Sequence, residues 1–344
     1  MKDTVKPIDK TDKAQGNGEE RLSILQRFRM SALDLATQLA AGGALIIVFL
    51  YLSFASPVFL TFNNLFNIVA QTTVTAVIAI GMTFVIVTAG IDLSVGSTAA
   101  LAGVLGVTLI LHGMSWPLAV VCGAVIGAVV GLVNGLLITV ARLSPFITTL
   151  GMMSVARGVL YIVTGAVAVY GVSDDFGLLG QGIIGSIPIP LIILVVVAVL
   201  AHIILSRTRL GRYTYAIGSN IEAARLSGIP IGRYLTVIYV LQGLLAGFAS
   251  MIASSRVTSG QPNFGVGLEL DVIAAVVVGG ASLFGGQGTI IGTLIGAFLI
   301  ALIRNGSVLL GINIFYQNVI IGVVIWVAVF WDQFRRRRLM TSAS

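Results

Sequence analysis

Asp92, within TAGIDLSVGSTAALAG at residues 88–103, is the only formally charged residue between Asp34 and Arg142. A carboxylate at bilayer depth costs several kcal/mol unless it is paired, caps a helix or faces water. It therefore either holds a break in the chain or faces something polar. Other chemistry-bearing residues are sparse. Every lysine lies at or before Lys13, so no GxxxxGK[ST] phosphate-binding loop exists downstream, and the chain cannot run a P-loop ATPase on its own. His112 and His202 stand in different segments and Cys122 is the single cysteine, which excludes a disulfide within the chain and argues against a metal site. Neither clustered histidines nor paired carboxylates form a catalytic constellation. The expectation is a chain with no catalytic residue, no metal and no cofactor of its own.

The elements that must position Asp92 follow from composition. Of 344 residues, 57% are hydrophobic and only 10% charged, and the mean hydropathy is +1.04. Soluble domains carry about 25% charged residues. The apolar runs are continuous and long enough for helices, unlike the short alternating segments of a transmembrane barrel. The fold expected is therefore all-α, a polytopic membrane bundle. A formal charge of +7 would suggest nucleic acid in a soluble protein, but no aromatic-basic motif accompanies it. In a membrane protein, Lys and Arg accumulate in cytoplasmic loops.

Residues 1–35 read as a polar cytoplasmic tail, partly disordered, with a helix over roughly 21–34 lying on membrane lipid through Leu22, Leu25 and Phe28. That lead is too long for a signal peptide, so the first apolar run reads as a retained span. Ten spans are expected, at roughly 36–55, 66–88, 94–111, 117–140, 145–164, 189–205, 233–254, 270–283, 288–303 and 314–332. Residues 36–332 thus form the membrane domain, with a loop at 206–232 and a basic tail at 333–344. With both termini cytoplasmic, seventeen Lys and Arg fall inside and two, Arg256 and Arg304, outside, while Arg157 falls within a span. That asymmetry supports the even count and the orientation.

Gly123, Gly127, Gly131 and Gly135 in CGAVIGAVVGLVNG recur every fourth residue, a stripe that lets another helix approach closely, within the chain or from another subunit. The span at 270–283 is too short to cross about 30 Å of hydrocarbon at 1.5 Å per residue. It runs into the glycine pairs 279–280 and 285–286. Two interrupted helices are expected, near 88–97 and 279–289. Both runs descend in the same sense, so no inverted repeat follows.

The loop SRTRLGRYTYAIGSNIEAARLSGIPIGR, residues 206–233, carries its own helix signals. Ser219 and Glu222 have the spacing of a capping box, residues 223–226 favour helix, Gly228 suits a left-handed stop and Pro230 prevents continuation. A helix of about two turns is marginal in water alone. Either a partner or lipid headgroups must receive it.

EAARLSG at 222–228 fits EAAxxxG, and it is joined by NNLFNI at 63–68, GIDLSVGS at 90–97, TRLGRYTYAIGSN at 208–220, SGQP at 259–262 and DVIAAVVVGGASLFGGQGTIIGTLIGA at 271–297. In this order, across nearly all of residues 60–332, the chain resembles the permease subunits of ribose-type monosaccharide importers of the ATP-binding-cassette class. The resemblance implies a bacterial inner-membrane importer with a second permease chain, a cytoplasmic ATPase that binds ATP and Mg, and a periplasmic sugar-binding protein. It implies that Ser219, Glu222, Ala223, Ala224, Arg225 and Gly228 form the contact with the ATPase, although Glu222 can also serve simply to cap its helix.

For the path, an uncharged sugar needs hydrogen-bonding groups. Asn63 lies close to Asn64, Asn67 and Gln71, which are spaced for one helix face; Asp92 with Ser94 marks the break, and Glu269 and Asp271 precede the short span. Asp92 reads as an N-cap, with Gly90 ending the preceding helix. Glu269 and Asp271 can cap their own helix or stand at the pathway mouth. Asp174, Asp175 and Arg256 are candidates for docking the binding protein. An ion-coupled secondary transporter, with Asp92 binding a proton or cation, is the competing reading.

Overall fold

A computed structural model describes residues 38–341. The expected tail at 1–35, with its surface helix at 21–34, lies outside the described residues, as do the side chains of residues 335–338 in the expected basic tail. The helices are α1 (Gln38–Ala55), α2 (Phe62–Val87), α3 (Val95–Leu111), α4 (Trp116–Thr139), α5 (Pro145–Thr164), α6 (Asp174–Gln181), α7 (Ile189–Arg207), α8 (Arg209–Ser219), α9 (Ile221–Leu226), α10 (Ile231–Val257), α11 (Leu268–Val278), α12 (Ile290–Leu309) and α13 (Ile314–Thr341). One two-residue pair, β1 (Ile183–Ile184) with β2 (Ile187–Pro188), joins α6 to α7. Among the described residues eight helices are long and apolar enough to cross a membrane, and α3 is a shorter apolar helix. The eighth expected span shrinks to the 11 residues of α11.

Local chemistry sets several starts. Pro117, Pro145 and Pro190 occupy the first turns of α4, α5 and α7, where a missing N–H costs nothing. α2 is the axis of the bundle and largely buried, whereas α1 and residues 314–334 of α13 are largely exposed. Around α2 pack α7, α10, α11 and α12. The glycine stripe of α4 is spent inside the chain. A Cβ on Gly127 or Gly131 would run into backbone carbonyls of Gly243 and Tyr239 in α10, and one on Gly135 would come within 2.8 Å of Thr236 Cα. The two backbones therefore touch directly, which dispersion and small residues permit.

The first expected interruption is present: α2 ends at Val87 and α3 begins at Val95. Its details differ from expectation. Ala89, not Gly90, holds the left-handed torsion (φ 61°). The Ala89 amide donates to Ile86 O (2.8 Å) and that of Gly90 to Val85 O (3.0 Å), a Schellman closure. Gly90 is required for space instead, because a Cβ there would lie 2.8 Å from the Tyr239 hydroxyl.

The second expected interruption is present as well: α11 ends at Val278 and α12 begins at Ile290. Residues 279–289 join α11 to α12 beside the end of α2, next to the first interruption. There Gly286 N donates to Val87 O (2.8 Å), Gln38 Nε2 to Thr289 Oγ1 (3.0 Å) and Ser282 Oγ to Asp332 Oδ2 (2.9 Å). This is the end that also carries α8 and α9. A further non-helical run, 258–267, follows α10 and enters from the opposite, α6 end. It descends alongside α3 from Val104, where Gly260 packs, to Gly96, which faces Gly265, about 12 Å at 1.5 Å per residue. Arg157 of α5 holds it, donating from Nη1 to Pro262 O (2.7 Å) and Phe264 O (2.9 Å). The first turn of α3 and the segment leading into α11 thus meet inside the bundle.

Candidate coupling and pathway site

The 206–232 loop folds into two helices, not one. Thr208 caps α8 by accepting from Gly211 N (3.4 Å). Thr214 and Ile217 turn inward with Gly211. The i, i+3 spacing of apolar and small residues between arginines was the available signal for α8. Its last residue is Ser219, so the cap moves one position on and the expected capping box does not form. Asn220 is the cap of α9, and its Oδ1 accepts from Glu222 N (3.1 Å) and Ala223 N (3.0 Å). Glu222 consequently does not reach back to the cap; it pairs with Arg225 at 2.7 Å one turn on. The stop is as expected: Gly228 has φ 77°, its amide donates to Arg225 O (3.0 Å), and Ile229 N donates to Ala224 O (3.1 Å).

α9 buries only Ala224. Ile221 and Leu226 are 42% and 89% exposed, and Glu222 and Arg225 face outward beside them. Six residues do not hold a helix alone. This one is held by its caps and presents an apolar pair framed by charge.

Behind α9 lies a cavity of about 1070 Å³ that reaches from Arg142, Asn220 and Arg225 to Thr88, Gly90 and Tyr239. It connects the exposed helix to the break after α2. Within that break Asp92 is 2% exposed. Its Oδ1 accepts from Ser94 N (2.8 Å) and Ser94 Oγ (2.6 Å). The helix begins one residue after Ser94, so Asp92 holds the turn before the helix and not its first-turn amides. Asn134 Nδ2 donates to Ser94 Oγ (3.0 Å). Thr149 Oγ1 donates to Ile91 O (3.2 Å) and accepts from Leu93 N (3.1 Å). Asp92 and Ser94 are therefore clamped by α4 and α5.

Asp92→Asn should keep the Oδ1 acceptor and with it the turn. Uptake by this variant within about threefold of the unsubstituted protein is expected, since only charge-assisted strength is lost. Complete loss of transport would instead require the negative charge itself.

The remaining sequence candidates separate. Asn64 is buried, donating from Nδ2 to Phe59 O (2.8 Å) and exchanging amide bonds with Asn305 of α12. Asn63, Asn67 and Gln71 are exposed. The expected shared face is thus divided between a buried tie and the surface. Asp271 is buried and gripped by Arg304 of α12 through two bonds of 2.7 and 2.8 Å. It joins two helices, and Arg304, expected in an outer segment, is the partner missed; no local signal links residues 33 apart. Glu269, half-buried at the start of α11, lies with Oε2 2.9 Å from where a Cβ on Gly96 would stand. Asp174 and Asp175 are exposed in the first turn of α6, which packs on the end of α10 through Gln181 Nε2 to Arg256 O (3.0 Å). That brings the acidic turn and Arg256 to one end of the bundle. Arg157 is the other omission: a cation inside a span signals a tertiary partner, here the carbonyls of 258–267.

A bundle with interrupted elements meeting in its interior and a capped helix exposed at one end is the form of a transport permease. A family model described as branched-chain amino acid transport system / permease component matches residues 64–329, and the chain belongs to that family. Among relatives, the ribose import permease protein RbsC of Bacillus subtilis (strain 168) is 45% identical over 291 residues, covering 84% of this chain and 90% of that one. RbsC of Escherichia coli (strain K12) is 44% identical over 293 residues, 84% and 91%. The D-allose transport system permease protein AlsC of the same organism is 39% identical over 290 residues, 84% and 89%. No solved structure matches.

Proposed function

We propose that the chain is the membrane-spanning subunit of a bacterial ATP-binding-cassette importer that passes a monosaccharide, ribose or a close relative, across the inner membrane by alternating access. Both termini and α9 face the cytoplasm, where an ATPase subunit binds ATP and Mg and receives α9 through Ile221, Leu226 and the Glu222–Arg225 pair. A periplasmic sugar-binding protein delivers substrate at the end formed by α6 and Arg256. A second copy of the chain completes the path, and lipid surrounds the pair. The observation that carries this reading is α9, a six-residue helix capped at both ends with its apolar pair turned outward. The names of the similar permeases, for ribose and D-allose, support the substrate class.

The test is reconstitution in liposomes with a partner ATPase and sugar-binding protein of the same importer class, measuring uptake across a panel of sugars together with ATP hydrolysis. ATP-dependent uptake of a pentose or hexose is expected. Uptake by this chain alone under a proton gradient would overturn the reading. In the same assay Gly228→Val forces a β-branched residue into φ 77°, a strain of about 1–3 kcal/mol. It should displace Leu226 and cut sugar imported per ATP hydrolysed by about tenfold, with the chain still inserted. An unchanged ratio would count against docking through α9.

A further inference from the structure

A displaced α9 can act on the bundle through α8 on one side or through α10 on the other. The α10 side is compliant: Gly228 has open space around it, and a turn through Ser227 to Pro230 separates the helices. The α8 side is rigid. A Cβ on Gly218, two residues before the α9 cap, would collide with Val87 O at the end of α2 and come within 2.7 Å of Gly286 N. Gly286 N itself donates to Val87 O (2.8 Å). A Cβ on Gly285 would lie 2.8 Å from Gly218 O and 3.0 Å from Ala89 N. Tyr215 Oη donates to Gly288 O (2.6 Å), fastening α8 to the same loop.

Three segments therefore meet backbone to backbone: the end of α8, the end of α2 and the α11–α12 loop. No side chain intervenes to change rotamer and absorb a displacement, and close-packed interiors compress little. Each of the two partners leads to one side of the interior contact between the interrupted elements. Val87 is followed at once by the 88–94 break and α3, and the α11–α12 loop is continuous with α11, whose approach segment lies against Gly96.

Resting on the function proposed above, we infer that Gly218 is a positioning residue for coupling. Its contact with Val87 and Gly285–Gly286 carries the displacement of α9 into α2 and the α11–α12 loop together, so that both interrupted elements move on one stroke of the ATPase. Packed contacts of this kind switch between discrete arrangements instead of deforming.

The experiment is sugar imported per ATP hydrolysed by the complete complex in liposomes, for the unsubstituted chain, Gly218→Ala and Tyr215→Phe. Gly218→Ala should lower the ratio about tenfold, and Tyr215→Phe, which removes a single hydroxyl, about threefold, with hydrolysis retained. With hydrolysis counted only for ATPase bound to the inserted chain, loss of folded protein lowers uptake and hydrolysis together and leaves the ratio unchanged, so the ratio separates coupling from a structural defect. Should Gly218→Ala fail to insert, Tyr215→Phe decides. A ratio unchanged in the variants that insert would overturn the route through Gly218 while leaving the proposed function standing. Absence of ATP-driven uptake by the unsubstituted complex would overturn both.

Discussion

Gly127→Leu is expected to abolish recovery of folded, monodisperse protein. A Cβ at this position meets the Gly243 carbonyl and lies 2.9 Å from Gly247 N and Cα, all backbone atoms of α10. No neighbouring side chain can rotate aside, so α4 and α10 must separate along their length. These two helices form the most extensive helix pair of the bundle. Overpacking that neighbours can partly absorb costs about 1–3 kcal/mol, and a rigid backbone collision exceeds that range. Gly42→Leu in α1, where nothing lies within 4 Å of the added Cβ, is the matched control and should change stability by less than about 0.5 kcal/mol. Size-exclusion behaviour and thermal unfolding in detergent read both. Native-like melting of Gly127→Leu would refute the close backbone approach.

Arg304→Ala should produce the other large loss, of about 3–5 kcal/mol, by stranding the Asp271 carboxylate with no countercharge. Asp271 is 7% exposed, and Arg304 makes both of its bonds to it. The consequence is local first: α11 is only 11 residues long and depends on α12 for its position. Replacing both partners with apolar residues, Asp271→Leu with Arg304→Met, should recover most of the stability, since the desolvation cost disappears along with the attraction. An Arg304→Ala protein that melts with the unsubstituted one would show that water, and not protein, surrounds this pair.

These outcomes bear on the path as well. Asp271 and Asn64 looked like pathway residues because polar groups in an apolar chain invite that reading. Both turn out to tie helices to α12, through Arg304 and Asn305 respectively. Asp92 keeps its place at a break: it bonds Ser94, and the break around it is tied to α4 by Asn134 on Ser94 and to α5 by Thr149 on Ile91 and Leu93. The break, and not the charge, is what the sequence marked.

By itself the sequence determined what short-range physics controls. Continuous apolar runs specify membrane-spanning helices because their backbone groups must bond within the segment. Gly228 and Pro230 end α9 where expected because left-handed stops act across three or four residues. The cap expected at Ser219 falls instead on Asn220, because α8 runs through Ser219 and where it ends is not a local matter. Only the tertiary structure decided which surfaces meet. It set α4 on α10 by matching Gly127 and Gly131 to backbone, gave Gly90 its purpose through Tyr239 and placed the left-handed torsion on Ala89. It also added a further non-helical run, 258–267, fastened by Arg157. Each of these depends on a contact between residues far apart in the chain, where shape and available space, and not local propensity, select the partner.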